Sequence, residues 1–293
     1  MIDGLVVVDK PGGFTSHDVV ARLRRAYGQK RVGHAGTLDP AATGVLVVGL
    51  GRVTRLLRFL QETRKEYRGR VVFGIATDTL DAEGSVLEQA PMSLERAQVE
   101  TAAGKLTGDI EQLPPMVSAV KVGGQKLYEA ARRGEEVERS LRPVTVHRLD
   151  VEEFSPGAYP EAVISVECSS GTYIRALAAD LGTALGGCAH LAELRRTRVG
   201  PFSIDASSPL EAIEADPPAA VLEPVDALPH LELVQVDDEQ ARAVGHGVVF
   251  PPPALLGSSA ASPGPFRIVG PDGRLLAVYE LVGAACRPAV VLV

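Results

Sequence analysis

The 293-residue chain is 45% hydrophobic and 23% charged, enough apolar content for one large domain plus a small one and too much for wholesale disorder. No apolar run reaches the roughly 18 residues of a membrane span. The start lacks the pattern of a secretory signal, and Cys168, Cys188 and Cys286 include no C-x-x-C pair that would suggest a disulfide framework or zinc site, so a cytoplasmic location is expected.

In chain order, Leu5 to Val8 reads as a buried strand running into the turn Pro11-Gly12-Gly13. Thr15 and Asp18 have capping-box spacing and open a helix with the apolar face Val19, Val20, Leu23, Tyr27, stopped by Gly28. A glycine-rich loop from Arg31 to Gly44 precedes a strand over Val45 to Leu50. Thr54 to Leu60 reads as helix and Tyr67 to Ile75 as strand. A helix over 93–106 is expected with Ser93 as its cap. Val117 to Val122 and a helix from about Gln125 to Arg133 follow. Strands near 143–154 and 161–168 lead into a helix from Ser170 to Leu185. The elements interleave without a βαβ period, which predicts an α/β (α+β) fold with a mixed, largely antiparallel sheet flanked by helices. Beyond about residue 205 prolines accumulate and the pattern becomes short and β-like, with a loop over Pro251 to Pro265. The expected division is a domain over 1–230 and a small β-rich domain over 231–293.

The net charge of −7 conceals an asymmetry. Residues 1–70 hold 13 basic against 6 acidic side chains, whereas residues 201–293 hold 4 against 12. Phosphate binding answers to the local field rather than the total, so the basic start fits a polyanion partner, or equally basic helices that happen to fall early. Arg22, Arg24, Arg25, Lys30, Arg31, Arg52, Arg55 and Arg58 are the candidate phosphate contacts; solvated helix faces are the alternative.

The loop Gly33-His34-Ala35-Gly36-Thr37-Leu38-Asp39-Pro40 places an imidazole, a hydroxyl and a carboxylate within a few positions. A lone Asp before Pro is more often a turn residue than a catalytic one. Cys168-Ser169-Ser170-Gly171-Thr172-Tyr173-Ile174-Arg175 reads as a strand end, a tight turn and a helix start. An arginine there is able to hold a distant carboxylate ionised, or simply to sit on a helix surface. Tyr67 of Lys65-Glu66-Tyr67 is either a base-stacking residue or a core anchor.

Together these stretches resemble one family. Asp9-Lys10-Pro11-Gly12-Gly13-Phe14-Thr15-Ser16-His17-Asp18 is similar to the opening motif of TruB-type tRNA pseudouridine synthases, and Gly33 to Gly44 is similar to their catalytic motif. Lys65-Glu66-Tyr67, Cys168 to Arg175, and Gly187-Cys188-Ala189-His190-Leu191-Ala192-Glu193-Leu194-Arg195-Arg196 match three more stretches in the same order. The resemblance implies the pseudouridine synthase fold with a small C-terminal PUA-like domain, and an isomerase acting on uridine-55 in the T arm of tRNA. It implies Asp39 as the single catalytic aspartate, Arg175 as its ion-pair partner, and Tyr67 against the target base. Tyr173 and Leu194 would line the pocket, and His34 would enter the RNA loop beside the flipped nucleotide.

The implied reaction breaks the bond from ribose C1′ to N1, turns the uracil and rejoins it through C5. It is redox-neutral, so neither a metal nor an organic cofactor is expected. One ionised carboxylate near C1′ is able to stabilise the developing oxocarbenium charge, trap it covalently or remove a neighbouring proton, and the sequence leaves these open. Extruding the base costs a few kcal/mol, which stacking on Tyr67, about 1–3 kcal/mol, would partly offset. With 13 aromatic residues and no Trp, RNA recognition is expected to rest on shape and phosphate contacts, by a monomer without an obligate protein partner.

The six histidines lack metal-ligand spacing, and no phosphate-binding loop or nucleophile elbow appears. Two rivals remain: a tRNA-folding chaperone or RNA-binding module that has no need of Asp39, and a related synthase acting on another RNA.

Overall fold

The computed structural model describes residues 1–116, 121–122, 125–126, 138–256 and 264–292. The chain forms two compact units: one of residues 1–39, 45–61 and 200–293, the other of residues 40–44 and 62–199. Elements are numbered along the chain.

The first unit begins with β1 (Gly4–Lys10), α1 (Ser16–Ala26) and β2 (Val32–His34). Strand β3 (Thr43–Leu50) contributes its residues from Val45 onward, followed by a 3-10 turn over Gly51–Arg55 and α2 (Leu57–Gln61). The capping box expected from Thr15 and Asp18 is present in both directions. It satisfies two amide donors that a helix start leaves over. The predicted apolar face of α1 is buried: Val19, Val20 and Leu23 pack with Val6, Val8, Val32, Val48 and Leu50. Leu210 and Ile213 of α5 (Leu210–Ala215) close the same core. Short strands β13 (Phe202–Ser203) and β14 (Ser208–Pro209) precede α5, and β14 runs parallel to β1.

The later part of this unit contains a separate four-stranded sheet in the order β15 (Glu232–Gln235), β16 (Phe266–Val269), β17 (Leu275–Val282), β18 (Ala285–Val291). Its own core joins Phe266, Ile268, Ala277, Tyr279 and Cys286 to Val236, Val244 and Leu255. Two helices here depart from the β-like expectation: α6 (Asp238–Gly245), and α7 (Pro252–Leu256) inside the stretch read as loop. The reason for α6 is local: Asp237 and Gln240 form a reciprocal capping box, and Val244 is carried into the core. Within the β-like tail, Phe250 makes an isolated bridge with Cys286.

The second unit is built on a sheet in the order β12 (Ala189–Val199), β4 (Lys65–Phe73), β11 (Glu161–Cys168), β10 (Arg142–Ser155), β7 (Gly108–Gln112), every neighbour antiparallel. Thr43 and Gly44 pair in parallel with Arg195 and Arg196 of β12, so the sheet is mixed but largely antiparallel, as expected. Strand β4 alternates: Lys65, Tyr67, Gly69 and Val71 are buried, whereas Arg68 and Arg70 between them point outward to carboxylates. Exposed ion pairs of this kind contribute about 0–1 kcal/mol each; the buried face is what holds the sheet. Helix α3 (Arg96–Lys105) packs on β10, α4 (Ile174–Ala184) on β12, and the two helices on each other. The cap of α3 is Glu95, bonded reciprocally with Gln98, rather than Ser93. A hairpin of β5 (Ile75–Thr77) and β6 (Val86–Gln89) carries the turn that matters below. Two-residue strands β8 (Lys121–Val122) and β9 (Gln125–Lys126) pair with each other. The helix expected from Gln125 therefore does not include Gln125 or Lys126, and its remainder lies outside the described residues.

Candidate active site

In the first unit, β2 ends at His34 and the chain turns into the loop that carries Asp39. Both residues are half-buried. The Ala35 amide donates to the Val47 carbonyl at 2.9 Å, tying the start of the loop to β3. Gly36 has φ +89°, a left-handed backbone that favours glycine. Ser16, the first residue of α1, is fully buried. Its hydroxyl accepts from the Leu38 amide at 2.9 Å and donates to the Leu38 carbonyl at 3.2 Å. Its neighbour His17 lies edge-on to the His34 ring, centroids 5.5 Å apart. Lys10, also fully buried, donates to the carbonyls of Pro11 (2.9 Å) and Phe14 (2.7 Å), pinning the turn that leads into α1.

In the second unit, Tyr67 is buried on β4 opposite Val166 of β11 and Arg196 of β12. Leu194 of β12 is half-buried opposite Gly69. A Cβ on Gly69 would stand 3.0 Å from Leu191 and 3.7 Å from Leu194, so glycine leaves room for both leucines. Tyr173 precedes α4, and its main chain is gripped by the buried Gln112: the Tyr173 amide donates to Gln112 Oε1 at 2.9 Å, and Gln112 Nε2 donates to the Tyr173 carbonyl at 3.3 Å. Arg175, only 5% exposed, donates through Nη1 to the Thr79 carbonyl at 3.0 Å and pairs with Asp81 Oδ2 at 3.2 Å. Lys65 and Arg196 are buried cations of the same sheet. Burial, reinforced by the Arg196 charge, depresses the Lys65 ammonium to a pKa of about 8.

The structure thus surrounds the candidates read from sequence with residues that sequence reasoning passed over: Ser16, Thr79, Asp81 and Gln112. Asp81 lies in a turn-like run, Asp78-Thr79-Leu80-Asp81-Ala82-Glu83-Gly84, whose composition signals only a loop. Ser16 lies inside the opening motif but looks like part of a helix cap.

The candidate phosphate contacts divide sharply. Arg22 is paired with Glu214 and Glu211, Arg24 donates to the Val32 carbonyl, and Arg31 to Thr54. Arg52 pairs with Asp3 at 2.7 Å and donates to the Leu292 carbonyl. Arg55 donates to Val291 (2.6 Å) and Arg58 to Ala289 (3.1 Å), both in the edge strand β18. Arg25 and Lys30 are exposed and make none of these bonds. Among the described residues, no group of three or more His, Cys, Asp or Glu side chains is arranged to hold a metal ion, and no helix is long and apolar enough to cross a membrane.

A similar fold recurs in solved structures. A chain in "Structure of H/ACA RNP bound to a substrate RNA containing 2'-deoxyuridine" superposes with TM-score 0.76 at 25% identity, covering 99% of this chain and 85% of the other. A chain of "Crystal Structure of a Cbf5-Nop10-Gar1 Complex" gives 0.75 at 27% identity, covering 98% and 83%. A mixed sheet flanked by helices with a β-rich C-terminal module is the pseudouridine synthase fold. Family models match nearly the whole chain: the TruB family pseudouridylate synthase N-terminal domain over residues 24–174, the tRNA pseudouridylate synthase B C-terminal domain over 175–228, and the tRNA pseudouridine synthase II C-terminal domain over 231–293. The chain belongs to the TruB family of pseudouridylate synthases. Similar relatives include "tRNA pseudouridine synthase B" of Thermobifida fusca (strain YX), 47% identical over 99% of both chains. The protein of the same name from Symbiobacterium thermophilum is 50% identical over 84% of this chain and 83% of its own.

Proposed function

We propose uridine-55 of the T arm as the target of this tRNA pseudouridine synthase, with Asp39 as its one catalytic carboxylate. The observation that carries the reading is the fixed loop of Asp39, whose neighbour Leu38 is held at both its amide and its carbonyl by a buried hydroxyl. A carboxylate before Pro40 on a backbone pinned in this way is preorganised for attack or charge stabilisation at a single carbon.

In this reading the C1′–N1 bond of the target nucleotide breaks, the uracil turns, and C1′ joins C5. The C5 hydrogen leaves as a proton to water and N1 gains one, so the reaction is an isomerisation with no net oxidation. Arg175 supports the ionised state of the catalytic carboxylate. Tyr67 packs on the base, while Tyr173 and Leu194 line the pocket and keep water from intercepting the sugar cation. His34 fills the space the extruded base leaves in the RNA. Residues 1–230 serve as the catalytic domain and 231–293 as a PUA-like domain. The enzyme acts in the cytoplasm as a monomer on tRNA, without an obligate protein partner.

The test is release of tritium from C5 of uracil in a T-arm stem-loop, with wild type and Asp39→Asn side by side in EDTA. Release by wild type alone, from a stem-loop whose only labelled uridine is position 55, supports both assignments. Equal release by the two proteins overturns the role of Asp39. Release from a second stem-loop, with position 55 replaced and its other uridines labelled, overturns the target.

A further inference from the structure

We propose that Ser16 is the positioning residue for Asp39; the inference rests on Asp39 being the catalytic carboxylate. Ser16 stands 22 positions before Leu38 and is fully buried. One hydroxyl uses both its hydrogen-bonding roles on Leu38, accepting from the amide at 2.9 Å and donating to the carbonyl at 3.2 Å. These two groups belong to different peptide planes. The amide lies in the plane joining Thr37 to Leu38, and the carbonyl lies in the plane joining Leu38 to Asp39. Peptide planes are rigid, so holding both fixes the backbone of Leu38 and the direction from which the chain enters Asp39. On the other side, Pro40 restricts Asp39 to extended backbone.

Ser16 is itself anchored by its helix. It lies between the two residues of the Thr15/Asp18 capping box and leads a helix whose Val19, Val20 and Leu23 lie in the core of the first unit. The next residue, His17, meets the His34 ring edge-on, so one turn of α1 holds the loop near both ends. A hydroxyl that merely satisfied a buried loop would stabilise the fold without touching the rate of chemistry. A positioning hydroxyl sets that rate, because a carboxylate displaced by about 1 Å from its reacting carbon loses on the order of 10²-fold.

Ser16→Ala and the near-isosteric Ser16→Cys separate the two roles. For each, the single-turnover rate of tritium release is measured per folded molecule, below the thermal midpoint of that variant, together with the Kd for the T-arm RNA. The expected result is a rate about 10–100-fold lower with Kd within about twofold. A rate within about threefold of wild type overturns the proposal. So does a parallel loss of rate and affinity, or failure of both variants to fold, which would make Ser16 a folding residue. Asp39→Asn is run alongside: if it retains turnover, the catalytic reading of Asp39 fails whatever Ser16 does. If Asp39→Asn is dead and the Ser16 variants are active, only the positioning role fails.

Discussion

Arg175 and Asp81 form an ion pair at 3.2 Å, with the guanidinium almost wholly buried and the carboxylate about one-fifth exposed. The same nitrogen of Arg175 takes the Thr79 carbonyl. Between those two acceptors sits Leu80 with φ +64°, the left-handed region rarely used by a branched side chain. That conformation turns the Thr79 carbonyl and the Asp81 carboxylate toward one donor. The other carboxylate oxygen is fixed by the Thr79 hydroxyl at 2.5 Å and the Glu83 amide at 3.1 Å, and the Thr77 hydroxyl bonds the Asp81 carbonyl at 2.7 Å.

Removing the charge of Asp81 is therefore expected to loosen Arg175. Asp81→Asn keeps the shape and should lower turnover about 10–100-fold, with RNA affinity changed less than about threefold. Because a buried guanidinium loses a charged partner, unfolding free energy should also fall by about 3 kcal/mol. Turnover assays and urea unfolding check the two parts; unchanged turnover would detach this pair from catalysis.

Gly44 has φ +100°, and a Cβ there would stand 2.2 Å from the Arg196 carbonyl oxygen. Gly44→Ala should destabilise by more than about 2 kcal/mol, since both the backbone conformation and the close approach of β12 forbid a side chain. A urea midpoint equal to wild type would contradict this.

Lys65 predicts a pH dependence. Its folded pKa, about 8, lies below the ordinary lysine value of 10.5, so between these limits the unfolded chain binds more protons. Stability should then rise with pH from about 8 to 10.5, with the penalty fully present below 8 and gone above 10.5, a contribution on the order of 3 kcal/mol. Lys65→Met should flatten that rise in urea unfolding measured from pH 7 to 10.5; a slope identical to wild type would refute it.

The basic side chains make separable predictions. Arg55→Ala removes a donor to the edge strand β18 and should lower the thermal midpoint while leaving the salt dependence of RNA binding unchanged. Arg25→Ala and Lys30→Ala should leave the midpoint alone. Each should reduce the slope of log affinity against log salt by about 0.7–0.9 for each phosphate the wild-type side chain neutralises. The opposite pattern would return Arg55 to the RNA interface.

Much of the fold was legible because its signals are local. The capping box of α1, the apolar runs of β1 and β3, and the alternation in β10 and β11 each act within a few residues. Strand β12 was not legible as a strand, because its polar residues include the buried Arg196 and the ion-paired Glu193 and Arg198, which no alternation announces. Helix α6 was hidden in a β-like tail, although its Asp237/Gln240 cap was readable in principle.

By itself the sequence determined the family, and it put forward the loop that carries Asp39 and the side chains His34, Tyr67, Tyr173, Arg175 and Leu194 as candidates, because ordered motifs record residue types and spacing directly. Only the tertiary structure decided which groups hold them: Ser16 on Leu38, Asp81 on Arg175, Gln112 on Tyr173 and Gly69 under Leu194. It also committed Arg52, Arg55 and Arg58 to carbonyls near the C-terminus rather than leaving them free for phosphate. These partners lie tens to hundreds of positions apart, and their meeting depends on sheet register and helix packing, which arise from burial summed over the whole unit rather than from any local pattern.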